Sequence, residues 1–235
     1  MEKVINSVQR EIFVKASPER IWKALTISEE RNKWETKSCE LDIRIGGQVS
    51  LDYGWGVSYI GTIVELEEHK KLVLKREDDD DLTIWTITPQ DKGSLVSIEY
   101  TGSWVGDIGM MEMDNMLFGT YQFMLNLKSI YEEGIDIRSK FWRSWIGILH
   151  RTYKMGEVLG SRVVKVQPNT PADSHIQVGD MITKVNGTAT HSYDDVEKII
   201  SELGADKEVT IEINRNGLPL LLTLKTIPFG QMNSQ

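Results

Sequence analysis

The 235 residues, 40% hydrophobic and 26% charged, have an ordinary globular composition and enough length for one or two domains. The net charge of −8 is uneven: residues 1–141 carry 17 basic against 25 acidic side chains, and residues 142–235 carry 10 of each. An acidic first part repels phosphate backbones and argues against a nucleic-acid partner, and the single cysteine, Cys39, excludes an internal disulfide and a cysteine metal cluster.

The start, Met1-Glu2-Lys3-Val4-Ile5, lacks a basic region followed by an apolar run, so no signal peptide is expected. No stretch approaches the roughly 18 apolar residues of a membrane span. The expected setting is therefore the cytoplasm, with no membrane span. Residues 4–15 alternate imperfectly and predict a strand. Ser17-Pro18-Glu19 predicts a helix start: a capping hydroxyl, proline at the first helical position, and an acid at the positive dipole end. Ile21, Trp22 and Leu25 form its apolar stripe. Ser28-Glu29-Glu30 predicts a second start leading to Trp34.

From Leu41 to Tyr100 the period is two, with strands predicted at 41–45, 48–53, 58–66, 71–77, 82–88 and 94–101. Gly46-Gly47, Gly54, His69-Lys70, the acidic run and Gln90-Asp91-Lys92-Gly93 separate them. Such short joins imply an antiparallel meander. The run Glu77-Asp78-Asp79-Asp80-Asp81 lacks the spaced ligands and turn glycine of a calcium loop and reads as a solvated hairpin turn. Between Asp107 and Glu133 the period becomes helical, with Met113, Met116, Leu117, Thr120, Phe123, Met124, Leu127, Ile130 and Tyr131 on one broad face and Gly134 ending the helix. After a short join come strands at 145–153, 161–167 and 180–185, a turn at Asn186-Gly187, a helix at 193–203, and strands at 207–214 and 218–226, with a disordered tail from Pro228. The fold class is α+β, in two domains: 1–138 and 139–230, with 231–235 a disordered tail.

Residues 4 to about 137 resemble the SRPBCC (START-like) superfamily, in the branch of activators of heat-shock-protein-90 ATPase. The resemblance rests on Ser17 to Leu25, Trp34, the Gly46-Gly47 turn, Gly61-Thr62-Ile63-Val64-Glu65-Leu66 and the helix ending at Gly134. It implies a helix-grip fold, a curved antiparallel sheet around a long C-terminal helix, often enclosing an apolar cavity. Residues 142–227 resemble a PDZ domain of the bacterial HtrA type. Here Arg143-Ser144-Trp145-Ile146-Gly147-Ile148 matches the carboxylate-binding loop, Val164 to Ala172 the following strand and turn, and Val178-Gly179-Asp180-Met181-Ile182 to Asn186-Gly187 the Gly-Asp…Asn-Gly run. The resemblance implies a small, partly open antiparallel barrel. His175 stands where that family usually has glycine; it is read as a turn residue at positive φ and not as a ligand.

A loop ending in Gly147 can aim successive amides at one point and hold a carboxylate. A peptide then adds as a strand beside Ile148–Tyr153. Helical spacing places Tyr193, Glu197 and Ile200 on the groove face, and Val196, Ile199 and Leu203 on the core face. The expected peptide site is Arg143, Trp145, Ile146, Gly147, Ile148, His150, Tyr193, Glu197 and Ile200, with the three isoleucines forming the pocket for the last side chain. In the first domain Trp22, Trp85, Trp104, Met113, Met116, Leu117, Thr120 and Phe123 are candidates to line a ligand cavity, or are simply core; both readings stand at this point.

His69, His150, His175 and His191 form no paired metal spacing, and no nucleophile elbow or phosphate loop is present. No catalytic residue, metal or cofactor is expected. The sequence reads as a non-enzymatic adaptor. Its first domain takes a small apolar ligand or a protein surface, and its second takes the C-terminal peptide of a partner. The alternatives are a co-chaperone-like regulator of a chaperone ATPase, implied by the resemblance, and a cyclase- or hydrolase-type enzyme using acids such as Glu35, Glu99 or Asp107.

Overall fold

The computed structural model describes residues 4–232. The elements run β1 Ile5–Val14, α1 Pro18–Thr26, α2 Ser28–Trp34, β2 Ser38–Leu41, β3 Gln48–Asp52, β4 Ser58–Glu67, β5 Lys71–Arg76, β6 Leu82–Gln90, β7 Gly93–Trp104 and α3 Gly106–Glu133. After a 3-10 turn at Arg138–Lys140 follow β8 Ser144–Trp145, β9 Ile148–Met155, β10 Val158–Val166, β11 Met181–Val185, β12 Thr188–Ala189, α4 Tyr193–Leu203, β13 Glu208–Arg215, β14 Leu218–Lys225 and β15 Ile227–Pro228. The chain divides into two compact units. One holds 4–103 and 119–138; the other holds 104–118 with 139 onward. The first half of α3 thus belongs to the C-terminal unit and the second half to the N-terminal one.

The N-terminal unit is a seven-stranded sheet of order β1-β7-β6-β5-β4-β3-β2, in which β2 to β7 form an antiparallel meander. Ser17 caps α1 through its hydroxyl, which accepts from the Arg20 amide at 3.4 Å, and Pro18 opens the helix. Trp34, with no exposed surface, donates its indole N–H to the Ala24 carbonyl at 2.9 Å and meets Trp85 edge to face at 6.0 Å. The second half of α3 is tied to this core by buried Asn126, which donates to the Trp34 carbonyl and accepts from the Ile137 amide. Gly134, at φ 73°, closes the helix by donating to Ile130 O.

Two local expectations shift. The strand predicted at 41–45 is β2 at Ser38–Leu41, because Arg44–Gly47 folds into a tight turn and leaves Ile45 exposed. A β-carbon on Gly47 would lie 1.9 Å from the Asp42 carbonyl oxygen, so the alternating pattern loses to turn geometry. The second helix starts at Ser28 and reaches Trp34 as predicted, with no side-chain bond at its Ile27 cap. The helix α3, however, does not bury a single stripe, since Asp114, Phe118 and Asn126 are enclosed as well as Met113, Leu117, Phe123, Met124 and Leu127. The acidic run forms the β5–β6 turn, with Lys75 on Asp80 and Arg76 bonded through its amide to the Asp81 carbonyl.

The C-terminal unit carries a sheet of order β14-β13-β11-β10-β9, with β12 on β11, and a small pair β15-β8. Its core is one cluster including Ile146, Ile148, Val163, Ile182, Val196, Ile200, Val209, Ile211 and Ile213. α4 runs over Tyr193–Leu203 as its periodicity predicts, capped by Ser192. The strand predicted at 145–153 breaks at Ile146-Gly147, where φ is 90° at the glycine. The positive φ expected at His175 falls one residue earlier, on Ser174 at 68°. The reason is that His175 and Ile176 both donate their amides to Ala172 O, which places the reversal before them. The tail is ordered further than expected: Pro228 pairs with Ser144, and Gln231 accepts from the Trp145 indole at 3.0 Å. The remainder of the expected disordered tail, 233–235, lies outside the described residues.

Candidate functional site

In the C-terminal unit β9 is an edge strand, and α4 packs beside it. The loop Trp145-Ile146-Gly147-Ile148 opens this edge. Its carbonyls turn inward: Ile146 O accepts from Ala172 N at 2.9 Å, and Gly147 O from Gln167 N at 2.8 Å. Across a trans peptide the N–H lies opposite the carbonyl, so the amides of Gly147 and Ile148 point away from these anchors. Two successive outward amides beside a left-handed glycine form a concavity suited to an anion. Thr170, which sequence reasoning missed, lies directly under the loop: a β-carbon on Gly147 would sit 2.0 Å from its hydroxyl oxygen.

The other expected groove residues divide into three sets. Ile146, Ile148 and Ile200 are packed together in the core cluster, each 5% exposed or less. His150, Tyr193 and Glu197 form a buried polar knot. The imidazole stacks on the Tyr193 ring at 4.5 Å, and its nitrogens lie 2.8 Å from Glu197 Oε1 and 2.5 Å from Ser161 Oγ. Burial, and then the Glu197 carboxylate, push the Tyr193 phenol far above its ordinary value. Arg143 and Trp145 are engaged elsewhere. The Arg143 guanidinium donates to the Glu202 carbonyl at the C-terminal end of α4, where its charge suits the helix dipole. Trp145 packs against Phe229 at 5.6 Å.

The expected ligand-cavity residues are shared between the units: Trp22, Trp85, Thr120 and Phe123 in one, Trp104, Met113, Met116 and Leu117 in the other. In the N-terminal unit, Phe123 stacks on exposed Trp55 at 6.0 Å and packs on Tyr53. Trp22 faces His69 edge-on, Thr120 bonds the Tyr100 hydroxyl at 2.9 Å, and Trp85 supports Trp34. Beside them lies a polar cluster that only the i,i+4 spacing of Arg31 and Glu35 foreshadowed. Arg31 Nε meets Glu35 Oε2 at 2.6 Å, Arg31 also donates to Leu25 O, and Tyr53 donates to Glu35 Oε1 at 3.3 Å. Burial lowers the Arg31 pKa, but the Glu35 charge and hydrogen bond outweigh it and the net shift is upward. Burial, then Glu35, raise Tyr53 well above its ordinary value. Of the other acids, Glu99 accepts from the Ser7 hydroxyl and Asp107 pairs with Arg151.

A family model described as activator of Hsp90 ATPase homolog 1-like protein matches residues 15–132, half of the chain. The chain belongs to this family. A PDZ domain model matches residues 137–226 of this family member. A segment of 62 residues, 26% of the chain, is 34% identical to Protease Do-like 7 of Arabidopsis thaliana, and the chain spans 6% of that protein's length. Among solved structures, the Aha1 dimer from Colwellia psychrerythraea is 20% identical, with 55% of this chain and 98% of that one covered and a TM-score of 0.48. The AHSA1-like protein from Aeromonas hydrophila is 16% identical, with 55% and 92% covered and a TM-score of 0.45. The architecture is α+β, an AHSA1-like domain followed by a PDZ domain. No helix among the described residues is long and apolar enough to cross a membrane.

Proposed function

We propose that this protein is a non-enzymatic adaptor of the cytoplasm, with domains at 1–138 and 139–230, whose PDZ domain binds the free C-terminus of a partner. The observation that carries this reading is the loop at Gly147: the Ile146 and Gly147 carbonyls are anchored inward, so the Gly147 and Ile148 amides across those trans peptides face out. A carboxylate there gains charge-assisted hydrogen bonds, and the peptide extends along the β9 edge. The isoleucines around the loop favour an apolar last residue. A short peptide buries little area, so affinity is expected to be roughly micromolar. Calorimetric titration of matched free-acid and amidated peptides tests the mechanism: strong preference for the acid supports it, and equal affinity overturns it.

The AHSA1-like domain is proposed to hold a small apolar ligand or a protein surface beside Trp22, Trp85, Thr120 and Phe123. The description of the matching family favours a second reading, a co-chaperone-like regulator of a chaperone ATPase. Stimulation of a purified chaperone ATPase by the full chain separates the two; absence of any rate change favours the adaptor alone.

A further inference from the structure

The first half of α3 belongs to the same compact unit as the PDZ fold, and it sits against the far end of the β9–α4 groove. Asp107, Asp114, Asn115 and Phe118 are spaced i, i+7, i+8 and i+11 and share one helical face. Each of them engages a residue of the groove wall or its neighbouring strand. Asp114 Oδ2 accepts from the Thr152 amide at 2.7 Å. Asn115 Oδ1 accepts from the Tyr193 hydroxyl at 3.0 Å. Phe118 meets the Tyr193 ring edge-on at 5.9 Å. Asp107 pairs with Arg151 at 2.7 Å and Arg162 at 3.5 Å. The opposite wall closes on the same point, since the Tyr193 amide donates to Thr152 Oγ1 at 2.9 Å.

Amides along a strand alternate sides, so one that reaches a helix beyond the sheet edge marks the parity of the open edge. Thr152 is such an amide, and Ile148 and His150 share its parity. A peptide lying antiparallel to β9 with its carboxylate at Gly147 meets these rungs with its last, third-last and fifth-last residues. The fifth-last rung is the Thr152 amide, and it already donates to a carboxylate.

We propose that α3 caps the peptide groove, so that this PDZ domain reads about the last three residues of a partner and longer peptides gain contacts only by displacing the helix. This inference rests on the peptide-binding reading above. Its test is a length series on the full chain: free-acid peptides of three, five and eight residues sharing the same apolar C-terminal tripeptide, titrated by calorimetry. The unaltered protein is expected to bind all three equally, within a factor of about two. Asp114→Ala combined with Asn115→Ala is expected to tighten binding of the longer two by about tenfold, one charge-assisted hydrogen bond's worth, and to leave the tripeptide unchanged. Hydrogen exchange on the unaltered chain keeps the idea testable if the double variant misfolds: the Thr152 amide is expected to be protected in the free protein and to stay protected with tripeptide bound. An unprotected Thr152, or an octapeptide that binds the unaltered protein tenfold tighter than the tripeptide, overturns the cap but not the groove. No binding at any length, in either protein, overturns both.

Discussion

Gly147 and Thr170 touch so closely that a β-carbon on the glycine would lie 2.0 Å from the threonine hydroxyl oxygen and 2.2 Å from its Cβ. The glycine also sits at φ 90°, where side chains are strained regardless of space. Gly147→Ala is therefore expected to destabilise the PDZ unit by about 2 kcal/mol or more. Thr170→Gly in the same chain removes the clash but not the backbone strain. The double-mutant cycle, followed by urea denaturation, is expected to show about 1 kcal/mol of favourable coupling. Additive effects would show that the contact does not constrain the loop.

Ile200→Asp is expected to unfold the PDZ unit rather than to silence a surface site. Ile200 is 2% exposed within the cluster of Ile146 and Ile148, and an unpaired carboxylate buried there costs several kcal/mol. Loss of the cooperative transition in circular dichroism is the expected readout. Ile200→Ala, costing about 2–5 kcal/mol, is the milder control.

Arg31 and Glu35 are 1% and 8% exposed and paired at 2.6 Å. Removing one partner leaves a buried charge, so Arg31→Met or Glu35→Leu alone is expected to cost about 3–5 kcal/mol, and the two together clearly less than their sum. Chemical denaturation of the three variants checks this; a double variant as unstable as the sum of the singles would contradict it.

The alkaline limb of stability follows from five tyrosines. Tyr53, Tyr59, Tyr100, Tyr131 and Tyr193 are all raised above the ordinary value of 10.0, each mainly by burial. Because the folded values exceed the unfolded one, their contribution is complete below pH 10 and is lost as pH rises beyond it. The slope is at most about 1.4 kcal/mol per pH unit for each tyrosine. Thermal melts from pH 8 to 11.5 are expected to fall steeply above 10, and Tyr100→Phe to flatten that limb. Phenolate absorbance developing at pH 10 in all seven tyrosines of the native protein would contradict it.

Much of the fold was legible in the chain because it is local. Ser17-Pro18 starts α1, the 3.6-residue period bounds α4 to the residue, and the glycine and acidic turns punctuate the β2–β7 meander. The glycine of the carboxylate loop was legible too, through the motif around it. What the chain did not announce were contacts between residues far apart in sequence. Thr170 beneath Gly147, Asp114 on the Thr152 amide and Asn126 bridging Trp34 to Ile137 depend on how elements are brought together in space. The periodicity of α3 marked which residues are apolar, but not which of its faces each unit would bury. The polar residues Asp114 and Asn126 are enclosed because each meets a backbone group that needs a partner. Propensity and patterning act over a few residues, whereas hydrogen-bond satisfaction and close packing are settled only when the tertiary structure sets distant backbone groups within reach of one another.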